Sequence, residues 1–185
     1  MTKRTSVAIA VLASLLVIAL AGRLLPHPPN FAPIAAIALF GGYFFRRAWI
    51  AVLAVVGVMF ATDAIIGFYD FRIMLPVYAA LALPAAFGPW LRRRKSALRI
   101  GSFALCGAVS FFLISNFAVW LFTPYYGSGI AGLMECYTAA IPFFKWTLAG
   151  DLAWSSTFFA SEWALRKIPT MIREEALSPE LQTQG

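Results

Sequence analysis

Two ionisable side chains stand where their burial costs most. Lys145 and Asp151 lie inside PFFKWTLAGDLAWSSTFFASEWAL, Pro142 to Leu165, a run long enough to cross a bilayer. A charged residue at membrane depth costs at least ~2.5–3.5 kcal/mol and normally faces a bundle interior or a wet cavity. The two are spaced i, i+6, which on a straight helix sets them about 120° apart rather than in the i, i+4 arrangement of an ion pair. They are not an ideal helical ion pair, and they need each other, a ligand or water. Two readings are open. In one they are structural polar residues bonded to neighbouring helices; in the other they line a polar cavity open to one side of the membrane.

Other chemistry is poorly supplied. The two cysteines, Cys106 and Cys136, form no C-x-x-C, so neither zinc nor redox chemistry is indicated. His27 is the single histidine, and no Ser–His–Asp set or metal-ligand spacing surrounds it. No P-loop, G-x-S-x-G or G-x-G-x-x-G occurs. Asp63 and Asp151 as an acid–base pair are the remaining enzymatic option, with no nucleophile to serve. The chain reads as a non-enzyme with no cofactor and no metal.

The elements that position these residues are membrane helices. With 61% hydrophobic and 12% charged residues, the chain departs far from the ~25% charge of soluble domains. The net charge of +7 comes in short clusters between apolar runs, which sets topology and excludes a nucleic-acid face. The hydrophobic pattern predicts one all-α integral membrane domain over 1–168, with helices at about 6–25, 32–45, 48–67, 73–91, 100–122 and 142–165, and a polar tail over 169–185. The first run also has the charged start and Ala19-Leu20-Ala21 of a cleaved signal peptide, but its length favours a retained helix. RLLPHPPNFAP, from Arg23 to Pro33, is an extended loop because its prolines forbid a helix. Pro76 and Pro84 predict kinks in the fourth helix. Thr123 to Ala140 reads as a long flap with a short helix near Ile130 to Tyr137.

Basic residues orient the bundle. With both termini cytoplasmic, only Arg23, Arg72 and Lys145 of the 15 Lys and Arg fall at or towards the outside. The outer half then collects polar groups from the whole chain: Arg23, Asn30, Asp63, Asn116, Lys145 and Asp151, interleaved with Trp120, Tyr126 and Trp146. Mixed charge with aromatic walls suits a small amphiphilic ring compound. The plainer alternatives are an interfacial aromatic belt, snorkelling of Arg23 and Lys145, and local pairing of Asp63 with Arg72.

PNFAPIAAIALFGGYFF (Pro29 to Phe45) followed by ATDAIIGFYD (Ala61 to Asp70) resembles an uncharacterised family of small bacterial membrane proteins. That family is similar to the S components, the substrate-binding subunits of energy-coupling factor vitamin transporters. The resemblance covers Arg23 to Lys167 and implies an S-component-like bundle of six transmembrane helices in the bacterial inner membrane. It implies capture of a vitamin or precursor at the outer face, with the first and fifth loops as gates. It also implies docking to an energy-coupling scaffold with ATPases through small residues on the first helix. There the sequence departs from the pattern, carrying Ala10-x-x-x-Ser14 on that helix and the clean Ala32-x-x-x-Ala36 on the second. The alternative function is a non-transporting membrane assembly or interaction protein held together by structural polar residues.

Overall fold

The computed structural model describes the backbone of residues 3–182 and the side chains of residues 5–167. The chain is helical: α1 (Lys3–Leu24), α2 (Ile34–Phe44), α3 (Ala48–Ile66), α4 (Phe71–Ala82), a 3-10 turn (Leu83–Phe87), α5 (Gly88–Arg93), α6 (Ala97–Phe122) and α7 (Gly129–Gln182). Among the described residues, four segments are long and apolar enough to cross a membrane: Thr5–Leu24, Ala48–Ile66, Phe71–Arg93 and Ala97–Phe122. α7 is not in that set; Lys145, Asp151 and Glu162 interrupt its apolar run.

The centre is α2. Its sequence, IAAIALFGGYF, is apolar on every face and calls for burial on every face, and every residue from Ile34 to Tyr43 is buried. Its closest neighbour is the segment around the second proline of the α4 region. A Cβ on Gly42 would lie 2.2 Å from the Ala85 carbonyl oxygen, and one on Gly88 would lie 2.0 Å from the Gly42 carbonyl carbon. Only glycine permits backbones to meet this closely. The Arg92 guanidinium donates to the carbonyls of Gly42, Tyr43 (3.1 Å) and Phe45 (2.9 Å). It thus satisfies the orphan acceptors at the C-terminus of α2 with a cation where the helix dipole favours one.

Pro84 gives the expected break as the 3-10 turn between α4 and α5, while Pro76 stays inside α4. The flap expected over Thr123 to Ala140 is largely absent. Only 123–128 is non-helical, and α7 begins at Gly129 and runs through Pro142. The reason is packing. The first turns of α7 lie along α6, where the Tyr137 hydroxyl donates to the Leu113 carbonyl at 2.8 Å and the Cys136 thiol to that of Asn116 at 3.4 Å. Pro142 lies inside this helix and is exposed. The backbone is helical to Gln182, so the expected tail starts within α7; its side chains from 168 on, and residues 183–185 altogether, lie outside the described residues.

Two ends result. The loop of residues 25–33 and the turns 67–70 and 123–128 share one end; residues 45–47 and 94–96 share the other, with the Arg92–Lys95 block. The loop end is pinned to α7: the Trp154 indole donates to the Phe31 carbonyl at 3.0 Å, and a Cβ on Gly150 would stand 3.1 Å from Phe31 Cα.

Candidate functional site

The inward face of α7 carries Thr147, Asp151, Ser155 and Glu162, all buried. Their offsets of four, four and seven residues keep them in one stripe. Lys145 falls off that stripe. It is exposed, with Nζ 5.4 Å above the Trp146 ring, a cation–π contact on the outer surface. The expected shared vestibule for Lys145 and Asp151 is therefore corrected. The 120° between them sends one side chain out and the other in.

Asp151 is 4% exposed. Its Oδ2 and the Ser155 Oγ find no hydrogen-bond partner. The space beside them, walled by Ala35, Leu39, Pro84 and Ala104, admits no water-sized molecule. A water needs room as well as polar partners, so this site is dry. It forms no part of a wet cavity.

Asp63 and Arg23 meet across the bundle. The Arg23 guanidinium pairs with Asp63 Oδ1, the Tyr78 hydroxyl donates to Asp63 Oδ2 at 2.6 Å, and Arg23 also reaches Met59 Sδ at 2.8 Å. The cluster ties α1 to α3 and α4. Local pairing of Asp63 with Arg72 does not occur. Arg72 binds Asp70 instead, with Nη2 at 2.5 Å from Oδ2, while Asp70 caps α4 through the Arg72 N–H at 2.9 Å. The side-chain bonds from Arg72, then its N–H, hold the Asp70 carboxyl below its usual range. Tyr69, beside the Arg23–Asp63 pair, has its phenol pushed up first by burial and second by the Asp63 charge.

A polar cavity at the loop end lies elsewhere. It holds about 220 Å³. Asn30 comes from the loop, Ser115 and Asn116 from α6, and Thr147 from α7; Phe112 and Phe144, 5.1 Å apart, form an aromatic wall. Asn30 reaches this position with φ of 62°, a left-handed conformation that asparagine tolerates better than most residues. No charged residue lines the cavity. Of the expected contacts only Asn30 and Asn116 line it. Trp120 donates to the Gly127 carbonyl at 3.2 Å, Trp146 lies under Lys145, and Tyr126 is half-buried in the 123–128 turn.

Residues 3–171 match a family described as a family of unknown function, DUF6580. The chain belongs to DUF6580. No curated protein and no solved structure matches it.

This DUF6580 chain also holds a charged cluster that its sequence did not announce. Lys95 Nζ lies 2.5 Å from Glu162 Oε2 and 5.4 Å from the Tyr43 ring centre, and the Tyr43 hydroxyl donates to Glu162 Oε1 at 3.3 Å. Arg166 adds a second cation to Glu162 one turn along α7. The available signal was the spacing of Glu162 from Asp151, eleven residues or about three turns, which puts both on one face. Among the described residues no three His, Cys, Asp or Glu converge to hold a metal.

Proposed function

We propose that this DUF6580 protein is a membrane-embedded binding subunit that captures a small, uncharged organic nutrient, a vitamin or vitamin precursor with a flat ring, from the outer side of the bacterial inner membrane. The observation that carries the reading is the 220 Å³ cavity between Asn30, Asn116 and Thr147. Polar groups there are few and set against phenylalanine walls, the usual make-up of a small-molecule site. The volume lies below the ~300–1,000 Å³ of drug-sized sites, which selects a small solute. The absence of charge in its lining selects a neutral one.

Several observations support the setting. Phe71, Leu75, Leu98 and Ile130 are each more than 70% exposed, an outer surface that suits lipid and not water. Together with α2 and α7, the four long apolar segments make six crossings. The Arg92–Lys95 end then faces the cytoplasm, with both termini on that side and the loop end outside. The resemblance to S components adds the first loop as a gate, and here that loop supplies Asn30. The chain has no nucleotide-binding motif, so any ATP-driven step belongs to another subunit, such as an energy-coupling scaffold with its ATPases.

The test is thermal unfolding of the purified protein against nicotinamide, pyridoxine and the pyrimidine and purine bases. A compound present at 100 times its Kd adds ~2.7 kcal/mol, and Asn116→Leu abolishes that shift. A well-folded protein that no compound stabilises would overturn the proposal.

One observation favours a second reading, a membrane assembly or interaction protein. The charged residues are spent on joining helices, as in Arg23–Asp63 and Lys95–Glu162, and Asp151 is sealed. On that reading Asn116→Leu alters neither binding nor uptake, and the cavity is a packing flaw.

A further inference from the structure

At the basic end a groove of about 530 Å³ runs between the first turns of α6 and the middle turns of α7. Its two ends differ. Lys95 and Ser96 stand at the mouth; Ile100, Leu152 and Phe159 line the length. From Trp163 to Leu152 it follows α7 for about 16 Å at 1.5 Å per residue. Within four residues of the mouth in sequence, Arg93, Arg94 and Arg99 are exposed, and none pairs with an acid among the described residues. Lys95 and Arg166 outnumber Glu162, the one acid they share. Trp163 is 55% exposed, with Lys167 Nζ 4.1 Å over its ring, a pairing found where a helix passes the headgroups.

We propose that this groove binds one anionic phospholipid, with an acyl chain along Ile100, Leu152 and Phe159 and the phosphate at the mouth near Arg94 and Arg99. A slot that is cationic at one end and apolar along its length matches an amphiphile. Basic pockets between helices on the cytoplasmic side are established anionic-lipid sites. A partner helix fits less well. An apolar helix would bring no anion to the cations at the mouth. The proposal is independent of the solute cavity at the other end, so either can fail alone.

The experiment uses the full chain in detergent micelles with palmitoyl-oleoyl phosphatidylglycerol or phosphatidylcholine at equal mole fraction. It reads the lipid retained after gel filtration and the unfolding temperature. Phosphatidylglycerol is expected to be retained at about one per chain and preferred about thirtyfold, the attraction of two arginines. Arg94→Gln with Arg99→Gln retains both lipids alike. Gly101→Leu retains neither; Gly101 lines the groove, and a Cβ there meets no atom within 4 Å. Ala97→Phe, on the same wall, makes the same prediction if Gly101→Leu does not fold. Equal retention of the two lipids by the wild type would overturn the proposal, as would unchanged retention by a folded groove-filling variant. So would stabilisation by glycerol 3-phosphate alone equal to that by the lipid, because the site would then be for phosphate without a chain.

Discussion

Lys95 and Glu162 are 67 residues apart in sequence and 2.5 Å apart in space. Their contact closes the basic end of α7 onto the turn before α6. Glu162 is buried at 6% side-chain exposure, whereas Arg166, its other cation, is 69% exposed. The two partners should therefore differ in weight. Lys95→Met, which leaves the buried Glu162 carboxylate with only the exposed Arg166 as cation, is expected to cost roughly 3 kcal/mol. Arg166→Ala should cost less than ~0.5 kcal/mol. Denaturant or thermal unfolding of the two variants checks the contrast; equal losses would contradict it.

The Arg23–Asp63 pair behaves as a unit. Asp63 is 3% exposed and also holds Tyr78. Arg23→Met leaves a buried carboxylate with one hydroxyl and is expected to cost roughly 3–5 kcal/mol. The double variant Arg23→Met, Asp63→Leu removes both charges and should recover most of that loss. A double-mutant cycle measures the coupling, and additive single losses would show that the pair is not a unit.

Asp151 offers the opposite sign. Its Oδ2 and the Ser155 hydroxyl lack partners, and the space beside them is too small for water. Replacing an unsatisfied buried polar group by an apolar one of similar size is often neutral or stabilising. Asp151→Leu is expected to hold or raise the unfolding temperature, and Lys145→Met, at the exposed surface, to change stability by less than ~0.5 kcal/mol. A large loss in Asp151→Leu would mean that the carboxyl has a partner.

The backbone crossing of α2 with the segment after Pro84 is the least tolerant point of the fold. Gly42→Ala or Gly88→Ala drives a methyl into backbone atoms at 2.2 or 2.0 Å, and nothing there is a flexible side chain that can move. Each is expected to cost at least the ~1–3 kcal/mol of core overpacking. Gly57→Ala, with open space around the new carbon, serves as the control and should be close to neutral. Similar losses at all three positions would contradict the crossing.

Helix existence was legible because apolar runs of this length have few alternatives. The break at Pro84 was legible from a missing donor. The long α7 was not: Pro142 and the glycines at 127, 129 and 132 read as a loop, and only packing against Leu113 and Asn116 makes helix of it. At the site, the 120° offset of Lys145 from Asp151 was in the spacing, yet two charges in one segment invited a shared cavity. Arg23 and Asp63 were each visible as costly residues, but their mutual choice across 40 residues is tertiary. Lys95 was hidden by its basic neighbours, whose clustering reads as topology alone. Asn30 and Asn116, which line the polar cavity, stand out in the sequence because polar residues near apolar helix ends are few.

The most direct measurement is thiol labelling in intact cells with Cys106→Ser and Cys136→Ala as background. Asn116→Cys should react with a small membrane-impermeant thiosulfonate added outside, and Asp151→Cys should stay unreactive from either side. An Asn116→Cys protein that reacts only after the cytoplasmic face is exposed, or one unreactive while Asn30→Cys labels, would contradict an outward-facing solute cavity.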